Sequence, residues 1–595
     1  MKVVIPSLLT LFIACTKPAV APLAADAGTP PNSPDVAPLV NATVETTPPA
    51  SAPLEVQLLA FNDFHGQLEP PTGKNALVQT AGEPVEAGGA EYFATWLKKL
   101  SAAHGRTVIV AAGDNIGATP LLSAAFHDEP TIEALNIVGL AITSVGNHEF
   151  DEGIVELGRL QRGGCHPKDG CFGTPETHFE GAKFTYLAAN VVLDGTSDTL
   201  FPPYEVRRFD DIPVAFIGMT LEGTPSVVTA NGVKGVSFKD EADTVNALVP
   251  KLQAQGIHAI VVLLHEGGYT TGRYDQCEGI SGPVFDVVKR FDKEVDVVVT
   301  GHTNAAHICD IEGRLVTSAS FAGRMVSDIR LMLDPVSRDV VTKSATNVIV
   351  TRDVEKAPAL TALIGKYKDL VRGIEARVVG TIAADLVRQQ GPTGESPLGS
   401  LIADAQLFAE SDPSAGGAEL ALMNPGGIRG DLTVAAISAG EKPGEVTFGE
   451  VFAVQPFQNA LVTMTLSGAQ LERVLEEQFA LAGNERDPPK MLQISAGLTY
   501  TWDATRPPGD RIDPAKVEVL AKPLDLTRNY RVVMNEFLGN GGDGFETLKS
   551  GSERKIGIVD SDALDFYLRQ HPGLVAPAPG RIKGVPATPA APATP

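Results

Sequence analysis

Basic residues, cysteine, tryptophan and long apolar runs are all scarce in this 595-residue sequence. Its 48 Lys and Arg face 72 Asp and Glu, a formal charge of −24, so it lacks the cationic surface that binding to duplex nucleic acid requires. Any recognition of phosphate must then draw on a local positive charge, such as a bound metal ion. No internal apolar run approaches the ~20 residues that cross a bilayer as a helix. Five cysteines are too few to build a disulfide scaffold, while an apolar fraction of 43% is ordinary for a globular chain. The length exceeds one hydrophobic core, and two domains of unequal size are expected.

The termini read differently from the interior. Residues 1–14, with Lys2 ahead of a short apolar stretch, have the form of an export signal. The following "LFIAC" resembles a lipobox, in which signal removal leaves Cys15 acylated, although Phe12 stands where Leu is usual. Cleavage near "PLAADA", leaving no lipid, is the alternative. Residues 15–53 are rich in Pro, Ala and Thr and read as a tether, and 582–595 as a disordered tail. The localisation expected is the periplasm or cell envelope, with membrane association through the lipid alone. Beyond Cys15 the cysteines number four, Cys165, Cys171, Cys277 and Cys309, an even count suited to an oxidising compartment. Cys165 and Cys171 bracket the turn-prone "HPKDG" and form the first expected pair, leaving Cys277 for Cys309. A Cys/His metal site using His166 is the competing reading, but its spacing fits no common zinc pattern.

From 54 to about 350, short β-rich runs ("EVQLLA", "TVIVAA", "AITSV", "VAFIG", "AIVVLL", "VDVVVT") alternate with helical segments such as "PTIEALNIVG", the pattern of an α/β domain. Residues 351–375 carry apolar positions at helical spacing and read as a connector. A second, smaller α/β domain occupies 376–581, with helices at "SPLGSLIADAQLFAE" and "GAQLERVLEEQF" and strands at "NALVTMTLS" and "NYRVVMNEF".

Five strands of the first domain end in Asp, Asn or His: Asp63 and His65 in "FNDFHGQ", Asp114 in "GDN", Asn147 and His148 in "GNHEFD", His265 in "HEGG", and His302 and Asn304 in "GHTN". One such residue is ordinarily a turn former or helix cap. Five sets at one sheet edge suit two-metal hydrolysis, which needs a bridging carboxylate and open positions for water and substrate. Imidazole with carboxylate or carboxamide oxygen accepts zinc, manganese, iron or cobalt.

These elements, in this order, resemble the calcineurin-like metallophosphoesterases, and within them the secreted 5'-nucleotidases. The resemblance implies an N-terminal four-layer β-sandwich flanked by helices, joined to a smaller C-terminal substrate-binding domain. It implies one metal site at Asp63, His65, Asp114 and Asn304 and another at Asp114, Asn147, His265 and His302. The cofactors would be two divalent ions (zinc, manganese, cobalt or magnesium) bridged by Asp114. His148 would be the catalytic histidine and Asp151 would orient it. In the second domain, "MNPGGIRGDL", "VQPFQN" and "NEFLGNGGDGFE" extend the resemblance to about residue 580. By position Phe457 and Phe537 look like plates that sandwich a nucleobase, Asn424 and Arg429 like polar substrate contacts, and Asp543 like an acceptor for ribose hydroxyls. Pro425 and Glu536 depart from the pattern, and "GPTGESPLGSL" lacks an arginine found in some relatives, for which Arg388 is a distant substitute.

The activity so implied is hydrolysis of nucleoside 5'-monophosphates by a metal-activated hydroxide, with nucleotides as partners and no obligate protein partner. The alternatives are a 2',3'-cyclic nucleotide phosphodiesterase with 3'-nucleotidase activity, a nucleotide-sugar pyrophosphatase, or a non-catalytic nucleotide-binding surface lipoprotein.

Overall fold

The computed structural model describes residues 52–172, 178–229, 231–481, 484–485 and 489–585. The expected signal segment, the Cys15 lipidation site, nearly all of the 15–53 tether and the chain beyond 585 lie outside the described residues.

Two six-stranded sheets form the centre of the first domain. In one, the order is Val340–Ile349, Met325–Leu333, Leu54–Phe61, Thr107–Ala112, Ile142–Ser144, Thr185–Leu187; in the other it is Ala306–Ile311, Arg314–Ala319, Val295–Thr300, Ala259–His265, Ile212–Thr220, Tyr204–Phe209. Strand Leu54–Phe61 runs parallel to Thr107–Ala112 and antiparallel to Met325–Leu333. Its side chains alternate: Leu58 and Ala60 enter the core between the sheets, whereas Leu59 and Phe61 face an outer layer of helices. In the second sheet Val261 and Leu263 point inward, and Ile260, Val262 and Leu264 meet helices Glu241–Gln253 and Pro283–Lys289. Both faces of each sheet are thus covered, which is why the strands read as continuous apolar runs. The result is the expected helix-sheet-sheet-helix stack.

In the second domain a five-stranded sheet, ordered Gln493–Ile494, Leu420–Met423, Asn529–Asn535, Ala460–Ser467, Ser552–Val559, separates two apolar clusters. Helix Pro397–Glu410 starts where Ser396 accepts from the Gly399 N–H and Pro occupies its first turn. Helix Gly468–Glu477 starts at a capping box of Ser467 and Gln470. The apolar run "NYRVVMNEF" does not stay extended to its end, because Asn535 accepts from the Leu538 N–H and turns Glu536–Gly539 into a short helix.

Two expectations about boundaries need correction. Residues 582–585 are not part of a disordered tail: Ile582–Val585 pairs in parallel with Leu498–Asp503, and Ile582 is buried in the domain core. Apolar Ile582 supplies that anchoring, and the Pro/Ala-rich composition begins only at Pro586. The 351–375 segment is also more than a connector. Its helix, Pro358–Glu375, sends Leu360, Leu363, Ile364, Tyr367 and Val371 into the core of the first domain, where Phe452 of the second domain joins them.

The cysteines pair as Cys165–Cys171 and Cys277–Cys309, with Cα atoms 4.5 and 5.0 Å apart. The Cys165–Cys171 bond sets aside the Cys/His metal reading of that loop.

Candidate active site

The parallel strands deliver their terminal residues to one edge, and tight turns there hold the side chains in place. Asp63, His65, Asp114, His302 and Asn304 all have φ between 47° and 70°, a region uncommon for residues with a Cβ. Such strain persists only where the surrounding sheets impose it. Glycine permits the close approach of two of these turns: a Cβ on Gly146 would lie 2.2 Å from the Asp114 carboxylate, and one on Gly113 would lie 2.6 Å from the Gly146 nitrogen.

Asp63, His65 and Asp114 offer ligand atoms within 4.8 Å of one another, and so do Asp114, His265 and His302. Asp114 belongs to both groups, the place of a bridging carboxylate. Its Oδ2 lies 3.8 Å from His65 Nε2 and 3.2 Å from His265 Nε2, while its Oδ1 accepts from the His148 N–H at 2.9 Å. His65 Nδ1 is 2.9 Å from the Gly117 carbonyl and His265 Nδ1 is 2.7 Å from that of Ala112. Each carbonyl fixes the proton on Nδ1 and turns Nε2 toward the cluster, the arrangement of metal-binding histidines. Asn147 Oδ1 lies 3.0 Å from His265 Nε2 and 2.8 Å from His302 Nδ1. The Asn304 Oδ1 atom is buried without a hydrogen-bond partner among the described residues. A carboxamide oxygen stranded beside two imidazole and carboxylate clusters fits a pair of divalent cations.

Electrostatics agree with that fit. Burial pushes the Asp63 carboxyl up to about 7 and the His65 and His302 imidazoles down to about 3, the latter also repelled by His265. Burial likewise opposes charge on His265, but the Asp114 carboxylate overrides it and holds that imidazolium up to about 10. Protons and cations compete for such a set of ligands, and bound metal displaces the protons.

His148 sits beside the cluster rather than in it. Its Nδ1 is 2.8 Å from Asp151 Oδ2. Burial works against an imidazolium there, yet Asp151 and Asp114 together raise its pKa. Sequence reasoning left Glu149 without a role. Its buried carboxylate accepts from the N–H groups of Asp114 (2.9 Å), Asn115 (2.9 Å) and Gly146 (2.7 Å), tying two ligand turns together. Burial and then the Asp114 charge push this carboxyl up to about 7, against the pull of those N–H donors.

One cavity, open to solvent, joins the edge that carries these side chains to the second domain. His65, Asp114, Asn147, His148, Asp151, His302 and Asn304 line one side, with Asp63 and His265 buried behind them; Asn424, Arg429, Phe457, Phe537 and Asp543 line the other. Phe457 stacks on His148 with centroids 5.6 Å apart and planes 16° from parallel, and the Arg429 guanidinium lies 5.6 Å from the Phe457 centroid. Asn424 donates to Asp543 at 2.9 Å and accepts from Asn535 at 2.9 Å. Lys490 reaches the other Asp543 oxygen at 2.5 Å. Asn535 and Lys490 were missed in the sequence; the first stands out only as a helix cap, and the second, distant along the chain, has no local signal. Arg388 does not line the cavity. Its guanidinium donates to the Arg429 carbonyl at 2.7 Å, and so it braces the loop that carries Arg429.

Comparison with known proteins follows this division. The calcineurin-like phosphoesterase family matches residues 56–305, and the 5'-nucleotidase C-terminal domain family matches 378–550. Cell wall protein Lmo0130 of Listeria monocytogenes is 33% identical over 558 residues, covering 88% of this chain and 68% of its own. Endonuclease YhcR of Bacillus subtilis is 31% identical over 546 residues, and although 91% of this chain is matched, it spans only 41% of that relative. The crystal structure of a 5'-nucleotidase precursor from Thermus thermophilus superposes with a TM-score of 0.71 at 26% identity, covering 90% of this chain and 100% of the other. The chain belongs to the 5'-nucleotidase family of metallophosphoesterases, hydrolases of phosphoric esters.

Proposed function

We propose that this protein hydrolyses nucleoside 5'-monophosphates to nucleoside and phosphate outside the cytoplasm. The observation that carries the reading is the shared cavity, in which paired clusters joined through Asp114 face aromatic and polar side chains of the second domain. Asp63, His65, Asp114 and Asn304 would hold one divalent ion and Asp114, Asn147, His265 and His302 the other. Bound there, the two ions supply Lewis acidity to the phosphoryl oxygens and bring water to a nucleophilic state near neutral pH.

The chain's own residues do the rest. His148 lines the cavity with Nδ1 held by Asp151, which leaves Nε2 free for the substrate. From there it stabilises charge developing on the phosphoryl group and supports departure of the ribose oxygen. Phe457 and Phe537 supply apolar faces for a base, and stacking contributes about 1–3 kcal/mol per base with little dependence on its identity. Asp543 offers acceptor oxygens to ribose hydroxyls, with Asn424 and Lys490 holding its carboxylate in place. Arg429 completes the polar contacts on the substrate. The two disulfides suit an exported protein, and acylation at Cys15 would hold it at the envelope.

The deciding measurement is chromatographic identification of the products formed from AMP, 3'-AMP, 2',3'-cyclic AMP and UDP-glucose with Mn²⁺ or with excess EDTA: adenosine and phosphate from AMP or from 3'-AMP, 3'-AMP from the cyclic compound, and UMP with glucose 1-phosphate from UDP-glucose. A chelator-sensitive preference for AMP is expected. Preference for another compound would move the substrate within the same chemistry, and no turnover of any by metal-loaded protein would favour a nucleotide-binding surface protein.

A further inference from the structure

Helix Glu129–Val138 begins without a side-chain cap, although the residue for one is in place. Asp128 stands at its N-cap, where an Asp ordinarily accepts from an N–H of the first turn, yet it makes no such bond. Its Oδ2 accepts instead from the Gly117 N–H, 11 residues back, at 3.1 Å. The Oδ1 atom is buried with no hydrogen-bond partner among the described residues. The backbone is strained as well: His127 and Asp128 both lie in the left-handed region, with φ of 49° and 61°, where residues with a Cβ are uncommon. A lost cap, an unmatched buried oxygen and two strained residues all oppose this arrangement, and such outliers persist where a site depends on them.

Gly117 shows what depends on this one. Its carbonyl lies 2.9 Å from His65 Nδ1. Its φ is +77°, and a Cβ there would lie 2.5 Å from the His148 carbonyl oxygen and 2.8 Å from Asp151 Oδ2, so only glycine fits between His65 and the catalytic pair. Glycine is also free to turn about both of its dihedrals. Unless its N–H is anchored, its carbonyl can swing away from the imidazole. His127 secures the anchor from the other side. Burial opposes charge on its ring, yet Glu152 and Asp169, with carboxylate oxygens 2.6 Å from Nδ1 and 2.8 Å from Nε2, hold the imidazolium up to about 9. Glu152 directly follows Asp151. Residues 127 and 128 therefore tie to the turn of the catalytic pair at one position and to the turn beneath His65 at the next.

We propose that Asp128 is a positioning residue for His65: its carboxylate fixes Gly117, whose carbonyl keeps the proton on Nδ1 and leaves Nε2 as the donor to a cation. This rests on the reading of His65 as a metal ligand. Hydrogen-bond partners outside the ligand shell typically alter metal affinity 10–100-fold. The other cluster should be spared, since its His265 is oriented by the Ala112 carbonyl instead.

Two measurements on the full chain test the proposal. Asp128→Gly is the main variant, because glycine suits the left-handed backbone and removes the carboxylate without straining the fold. Asp128→Asn keeps an acceptor oxygen and should stay close to the wild type. The first measurement uses chelator-stripped protein with ¹⁵N-labelled histidine, in which the His65 ring signals are those lost in His65→Ala. The wild type should show the Nδ1–H tautomer, and Asp128→Gly a shift toward Nε2–H. The second is competition for Zn²⁺ with a chromophore at pH 8, above the value of about 6 to which burial raises the Asp128 carboxyl. Asp128→Gly should weaken one of two equivalents about tenfold or more and leave the second unchanged. In a His65→Ala background the same substitution should weaken nothing further, whereas a general effect on the fold would act equally in both backgrounds. An unchanged tautomer in Asp128→Gly, or the same loss of affinity with and without His65, would overturn the proposal. If His65→Ala itself leaves zinc binding intact, it is the ligand assignment that fails, and the tautomer alone decides the role of Asp128. Should circular dichroism show Asp128→Gly misfolded, Asp128→Ser, whose short side chain retreats from the Gly117 N–H, takes its place with the same expectations.

Discussion

Replacing Glu149 by glutamine removes a single oxygen, and the structure specifies what that oxygen does. Oε2 accepts from the Asp114 and Gly146 N–H groups, and Oε1 accepts from the Asn115 N–H. A glutamine keeps one acceptor oxygen and aims an NH₂ group at the remaining donor. In the less damaging orientation the oxygen stays with Asp114 and Gly146, and the buried Asn115 N–H loses its partner at a cost of about 1–3 kcal/mol. At pH 8, above the value of about 7 to which burial raises the Glu149 carboxyl, the two retained bonds fall from charged to neutral strength, about 1 kcal/mol each. The sum is about 3–5 kcal/mol, concentrated on two turns. Hydrogen exchange of peptides covering 113–117 and 145–150 reads this local stability directly. At 1.36 kcal/mol per tenfold change, exchange should quicken by about 10²–10⁴ there, while strand Ala259–His265, with no bond to Glu149, changes little. Acceleration below tenfold at both turns would refute the assignment of Glu149 as their tie.

His148→Ala should lower kcat about 10²–10⁴-fold with metal content unchanged; equal loss of both would make His148 a ligand. Phe537→Ala should raise KM for AMP about 5- to 150-fold, the equivalent of 1–3 kcal/mol of stacking, and spare p-nitrophenyl phosphate. Phe457→Ala should do the same and also lower kcat on both compounds, because that ring supports His148; loss confined to KM would show the support to be dispensable. Asp560 tests pH linkage away from the site, since burial raises its carboxyl to about 8. A folded pKa above the unfolded value means that its contribution is fully present below about pH 4 and is lost as pH rises toward 8. Asp560→Asn should therefore gain on the wild type by about 2–3 kcal/mol between pH 6 and 8, seen as diverging melting temperatures; parallel melting curves would count against it.

The strands and their polar ends were legible because both faces of each sheet are covered. A run such as "AIVVLL" must then be apolar throughout, and the Asp, Asn or His that ends it stands out. Glu149 was not legible, since its partners are backbone N–H groups that carry no sequence signature. Lys490 and Asn535 meet Asp543 and Asn424 only through the tertiary fold. The 582–585 strand was missed because four residues beside a Pro/Ala-rich stretch leave no periodicity to read. His166 was weighed against the cysteines that flank it, whereas the fold sets it opposite His127, 39 positions earlier in numbering.

The burial of helix Pro358–Glu375 in the first domain's core bears on how the protein can be taken apart. A catalytic fragment ending at 350 would leave the surface that receives Leu360, Tyr367 and Val371 open to water and prone to association. One ending near 376 would keep that surface covered and leave exposed chiefly the patch that meets Phe452. Any pivot between the halves therefore belongs after Glu375, with the helix travelling as part of the first domain rather than bending between the two.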